Sequence, residues 1–137
     1  MIKVGYSKKY IYEIINQNFN KKYKTWRKAT YIIDAYTNAW FGKICRDKNG
    51  NFIINKACGW INEDDISKNN KFVMRTTKLL SEKDKKDILC SKNKKILLFA
   101  KDKGRNKYMF LGVFSNKPTI NGNKVKIIFN KISSHWP

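Results

Sequence analysis

The sequence predicts an α+β fold, with N-terminal helices followed by a strongly curved antiparallel sheet or small β-barrel. Three observations carry that expectation. Apolar residues recur at helical spacing in the first third, apolar–polar alternation dominates the last third, and an Asn-Gly turn separates two apolar runs between them. At 137 residues a single domain, 1–137, is expected, burying roughly 65–70% of the surface its unfolded chain would expose. The 14% aromatic content supplies large side chains to offset ordering entropy, which argues against a disordered chain.

Ser7 is positioned to cap a first helix whose apolar residues Tyr10, Ile11, Ile14, Ile15 and Phe19 recur every three or four positions. Thr25 offers a second cap, with Trp26, Ala29 and Ile33 on one face. From Ala39 to Arg46 large apolar residues dominate, and Asn51 to Lys56 resumes the run after the turn Asp47-Lys48-Asn49-Gly50. Asn-Gly between two such runs predicts a hairpin. Cys58 to Ile61 reads as a short strand, Asn62 to Asp65 as a break, and Lys71 to Thr77 as extended chain. Ser81-Glu82-Lys83-Asp84 predicts the capped start of a short helix with Ile88 and Leu89 on its apolar face.

Three strands follow, at Lys95–Lys101, Lys107–Phe114 and Lys124–Ile132, connected through 102–106 and 115–123. Both faces of the middle one are apolar, so it should be central. Val125, Ile127 and Phe129 alternate with Lys124, Lys126, Ile128 and Asn130, the pattern of a half-exposed outer strand.

The charge narrows the function class. Thirty basic side chains face ten acidic ones, a net charge of +20. Of the bases 26 are Lys and four Arg, beside 16 Asn and 17 Ile, a bias that fits an AT-rich coding sequence. Codon bias does not explain the scarcity of acids. A chain this unbalanced repels itself, so an anionic partner is expected, nucleic acid first and DNA ahead of RNA. No apolar run reaches the ~20 residues of a membrane-spanning helix, and no leader pattern follows Met1, so an intracellular, cytoplasmic chain is expected. Cys45, Cys58 and Cys90 are widely spaced with His135 as the lone histidine, so no metal, cofactor or thiol catalysis is predicted, and the thiols read as buried apolar groups.

The candidate nucleic-acid-binding residues come from aromatic–basic interleaving. In an extended chain Tyr36, Asn38 and Trp40 share one face, giving two rings to stack on a base and an amide to read its edge. Trp60 is a third ring. Base–aromatic stacking is worth about 1–3 kcal/mol per base. The tip formed by Lys101, Lys103, Arg105 and Lys107 around Gly104 is suited to phosphate. No catalytic residue is assigned.

The strands Lys95-Ile96-Leu97-Leu98-Phe99-Ala100-Lys101, Tyr108-Met109-Phe110-Leu111-Gly112-Val113-Phe114 and Val125 to Ile132 resemble the closing strands of PUA-like domains, the group that includes EVE and SRA modified-base readers. Segments of the form Tyr-x-Phe-x-Gly-x-Phe occur in DNA-reading modules attached to bacterial restriction nucleases. The resemblance, over 95–132, implies a curved β-barrel with peripheral helices that holds a flipped or modified base in an aromatic pocket. No pocket residue is carried over by motif. The resulting expectation is a DNA-binding module that recognises a modified or flipped base. The alternatives are a small nuclease or toxin-like ribonuclease using Glu63, Asp64 or Asp65, and a basic mobile-element protein that inhibits or docks on a nucleoprotein complex.

Overall fold

The apolar run Ile96-Leu97-Leu98-Phe99-Ala100 has no polar face to give to water, so it must lie inside a sheet covered on both sides. The structure, a computed structural model, describes residues 2–46, 52–54, 60–62, 71–76, 80–90, 93–102, 106–122 and 124–137. In chain order the elements are β1 (Ile2–Lys3), β2 (Ser7–Lys8), α1 (Ile11–Phe19), β3 (Thr30–Asp34), β4 (Thr37–Arg46), β5 (Phe52–Ile54), β6 (Trp60–Asn62), β7 (Lys71–Thr76), α2 (Glu82–Cys90), β8 (Lys95–Asp102), β9 (Tyr108–Ser115), β10 (Lys117–Asn121), β11 (Lys124–Ser133) and β12 (His135–Trp136). The architecture is α+β: a strongly curled mixed sheet forming a half-barrel, with α1 and α2 beside it.

The main strand order is β3-β4-β8-β9-β11-β7-β6. β8 lies between β4, to which it runs parallel from Thr37↔Lys95 to Ile44↔Asp102, and β9, to which it is antiparallel. Residues 96–100 are each at most 1% exposed, as the sequence requires. The curl has a specific origin. β9 and β10 form one broken strand interrupted at buried Asn116, and both pair with β11. β8 extends the β9 half of that ribbon while β7 extends the β11 half, so the sheet turns a corner at Asn116. The predicted outer strand β11 is therefore interior, paired on both sides. Its alternation is real, but Lys124 and Lys126 face solvent from one side of an interior strand.

Two apolar clusters fill the two faces. On one, Ile14 and Ile15 of α1 pack against Ala39, Phe41, Leu97, Phe99, Phe110 and Val113. On the other, inside the half-barrel, Ile96, Leu98, Phe114, Val125, Ile127 and Phe129 meet, with Trp40, Leu80, Ile88 and Leu111 at the margin. Each large side chain so buried contributes about 1.5–3 kcal/mol.

Helix α1 begins at Ile11, where the Glu13 carboxylate accepts the Tyr10 N–H at 3.1 Å, and ends at Asn20 in the left-handed region (φ 55). Ser7 is not its cap; it pairs with Met109 in a short ladder to β9. The predicted helix after Thr25 is absent, because Thr30–Asp34 is β3, whose Thr, Tyr and two Ile suit a strand. Within the Ala39–Arg46 and Asn51–Lys56 runs, Ile44–Arg46 of β4 and Phe52–Ile54 of β5 form the predicted antiparallel pair. Of the strand expected at Cys58–Ile61, Trp60 and Ile61 lie in β6, which continues through Asn62 where the sequence predicts a break. Lys71–Thr76 of the expected extended stretch is β7. Ser81 caps α2 through its Oγ, which accepts the Asp84 N–H at 3.1 Å. Ile88 turns inward as expected, whereas Leu89 and Cys90 are exposed. The presumed connection 115–123 contains β10; Pro118 suits it because β10 pairs only with β11 among the described residues. The turn 47–50, Cys58, Glu63, Asp64 and Asp65 lie outside the described residues. No helix among the described residues is long and apolar enough to cross a membrane.

Candidate nucleic-acid interface

The β3–β4 hairpin builds one corner of the sheet from short-range chemistry. Asp34 Oδ1 accepts the Tyr36 N–H at 2.7 Å, an Asx turn that reverses the chain. The Tyr36 carbonyl accepts the Lys95 N–H at 2.8 Å, fixing the turn to the start of β8. Both bonds hold the backbone, and the Tyr36 side chain is left 75% exposed.

Asn38 and Trp40 follow on β4, pairing with Ile32 and Thr30 of the edge strand β3. Residues directly opposite in a ladder share a face, so Ile32, Asn38 and Trp40 stand together at the margin of the half-barrel interior. Ile32 is 67% exposed, unusual for an isoleucine on a sheet. Trp40 is half-buried, its ring 5.1 Å from that of Phe129. Asn38 Oδ1 is buried and accepts no hydrogen bond. A buried unpaired amide oxygen costs about 1–3 kcal/mol, so this corner carries a polar group whose acceptor is unused by the fold.

Three of the predicted site residues, Tyr36, Asn38 and Trp40, are thus adjacent, although Tyr36 belongs to the turn rather than the strand. The others are elsewhere. Trp60 starts β6, at the other end of the strand order from β3, and its side chain lies outside the described ones. Lys101 is opposite Lys43 and Tyr108, its ammonium 5.7 Å from the Tyr108 ring. Asn38 is level with Ile96, so Lys101 stands five residues further along β8, about 17 Å at strand rise. Lys107 is exposed at the start of β9, and Lys103 and Arg105 lie outside the described residues.

The sequence reading passed over a second basic element. Between α1 and β3, Lys21, Lys22, Lys24, Arg27 and Lys28 are all exposed, while Tyr23 and Trp26 interrupt them. Asn16 of α1 clamps this segment: its Nδ2 donates to the Tyr23 carbonyl and its Oδ1 accepts the Tyr23 N–H, each at 2.8 Å. Ring contacts of Tyr23 with Trp26 (5.1 Å), and of Trp26 and Phe19 with buried Tyr31 (5.2 and 5.5 Å), complete the anchor. Burial pushes the Tyr31 hydroxyl pKa up, with the neighbouring Tyr23 adding to the shift. The signal was present in the sequence: residues 14–33 contain no acidic side chain. Helical spacing of Trp26, Ala29 and Ile33 hid it. Asn16→Ala removes both clamp bonds and should cost about 1–2 kcal/mol, read as a lower urea midpoint with an unchanged slope.

No family model matches this sequence, and no curated protein does. Among solved structures the fold is similar to that of the 5-hydroxymethylcytosine-specific restriction enzyme AbaSI, with a TM-score of 0.62 and 15% sequence identity. The match covers 95% of this chain and 39% of that one. At such identity the likeness is one of fold alone.

Proposed function

We propose that this chain is a DNA-binding module that reads a modified cytosine, flipped from the duplex, at the Tyr36–Asn38–Trp40 corner. The observation that carries this is the unused, buried Oδ1 of Asn38 between exposed Ile32, exposed Tyr36 and half-buried Trp40. An amide oxygen accepts from the exocyclic amino group of cytosine, and an extruded base presents that edge to a pocket wall. The Tyr36 ring supplies a stacking face. The fold's similarity to an enzyme named for 5-hydroxymethylcytosine supports cytosine modification as the feature read. Lys101 and Lys107, further along the sheet, would add salt-sensitive phosphate contacts, with Lys103 and Arg105 proposed for the same role from the sequence and Trp60 as a further ring.

Equilibrium binding to matched duplexes, with and without 5-hydroxymethylcytosine, tests this across a salt series around 150 mM, near physiological ionic strength. The modified duplex should bind about tenfold tighter, a ratio worth about 1.4 kcal/mol, and the ratio should persist as salt rises. Equal affinities at every salt concentration would reject base reading and bring the protein-docking alternative forward. Tyr36→Ala isolates the stacking contribution because so exposed a ring supports little of the fold. It should weaken binding about tenfold or more with no change in Tm. Trp40→Ala is the poorer probe, since loss of its packing on Phe129 also destabilises the fold.

A further inference from the structure

We infer that the segment Lys21–Lys28 is a preorganised arm that grips the DNA backbone beside the base-reading corner. The inference rests on the DNA-binding reading above and adds where the duplex lies. Five basic side chains within eight residues stand exposed, and among the described residues none is in an ion pair. Like charges held this close raise the energy of the free protein. The segment is nonetheless fixed, by the Asn16 clamp and by Tyr23 and Trp26 packed toward Tyr31. A solvated linker needs no such anchor. An anion-binding arm gains from one, because positioned side chains lose less freedom on binding.

Its location favours the same partner. The Ala29 carbonyl accepts the Phe41 N–H at 2.8 Å, and Thr30 pairs with Trp40. The arm therefore joins the sheet one residue from Trp40, between the Asn38 corner and the Lys43↔Lys101 pair of β4 and β8. The arm's anchor rings pack with Tyr31 on the α1 face of the sheet, the face that Lys101 shares with Phe99 and Tyr108, while Asn38 and Trp40 stand on the other face. Arm and corner therefore meet across the exposed edge strand β3, and that edge is the track the duplex would follow. Double-stranded DNA is the partner this track fits best. It presents one charge per ~1.7 Å of axis, and each neutralised phosphate releases more counterion than on a single strand.

The test compares two double variants with the parent on one unmodified and one 5-hydroxymethylcytosine duplex. Arg27→Gln/Lys28→Gln alters the arm, and Lys83→Gln/Lys86→Gln removes the same charge from exposed positions on α2. The arm variant should lower the slope of log affinity against log salt by about 1–2, and weaken both duplexes alike by roughly tenfold or more. The α2 variant should leave the slope within about 0.5 of the parent. Equal slope changes in both variants overturn the arm, even where the parent discriminates the modified base. Loss of base discrimination in the parent, with the slope difference intact, overturns the corner and leaves the arm standing. Tighter binding to single-stranded DNA or to RNA than to duplex DNA, with the same slope change, overturns the choice of duplex. Failure of the parent to bind any duplex rejects both readings. Should the arm variant unfold, Lys21→Gln/Lys22→Gln, at the arm's other end, gives the same readout.

Discussion

Replacing Gly112 by valine should destabilise the protein by about 3–5 kcal/mol, lowering Tm by roughly 10–20 °C. Gly112 has φ +137, a conformation that side chains with a Cβ rarely adopt. A Cβ placed there would lie 2.7 Å from Lys131 Cε and 2.9 Å from the Ser133 carbonyl oxygen. The lysine chain can move aside, but the carbonyl belongs to β11 and cannot. The registers explain the crowding. The β8–β9 ladder slips between Leu98 and Phe99, the β9–β11 ladder slips between Lys131 and Ser133, and Gly112 stands where the two irregularities meet. Such irregularities bend strands and increase twist, so the half-barrel closes at this residue. Gly122→Ala is the control. Gly122 also has positive φ (+64), but nothing lies within 4 Å of its added Cβ. It should cost only about 1–2 kcal/mol. Equal costs in thermal or urea unfolding of Gly112→Ala and Gly122→Ala would reject the close approach of β9 and β11 as the reason for glycine.

That residue also shows what the sequence made legible. Gly112 is the glycine in Tyr-x-Phe-x-Gly-x-Phe, the segment on which the resemblance rests. The strands around it were readable because Ile96 to Ala100 and Tyr108 to Phe114 are apolar on both faces, which few local structures other than an inner strand tolerate. Strand order was less accessible. Whether β11 is outer or interior depends on β7, about fifty residues earlier, and Lys124 and Lys126 reach water in either case. Between Thr25 and Ile33 two periods competed. Trp26, Ala29 and Ile33 satisfied a helix, while the β-branched run Thr30 to Ile33 suited a strand, and pairing with β4 decided for the strand.

The candidate site was legible in part for the same reason. Alternation brought Asn38 and Trp40 to one face from the sequence alone. Neighbours decided the rest: Trp40 leans on Phe129, which is 89 positions away. The basic arm escaped notice because its anchor, the Asn16–Tyr23 clamp, is a tertiary contact that no local pattern announces.

Asn38→Leu should stabilise the protein and at the same time remove its base discrimination. The two effects share one cause. In the free protein Asn38 Oδ1 is buried and unpaired, so the fold bears its desolvation without a compensating bond. Leucine keeps asparagine's branched arrangement of four side-chain heavy atoms, is bulkier, and brings no polar atom; Asn38 is only half-buried, which leaves room for the added methyl volume. Its neighbours in the ladders are Ile32 and Ile96, both apolar. The substitution should therefore raise stability by about 1 kcal/mol, a gain of a few degrees in Tm. Binding should move the other way. The acceptor for the cytosine amino group is gone, and a specific base contact is worth about 1–3 kcal/mol. Preference for cytosine over thymine, which presents an acceptor in place of the amino group, should therefore fall by roughly tenfold or more at the position read. Salt-dependent affinity for any duplex should remain, because Asn38 carries no charge. The signs separate the possibilities. A loss of stability above about 1 kcal/mol would mean that Oδ1 is satisfied in the folded protein and waits for no ligand. A stabilised variant that still discriminates would place base reading elsewhere on the molecule. Only a gain in stability coupled to a loss of discrimination ties the unused oxygen to the base, since ordinary damage to the fold lowers both.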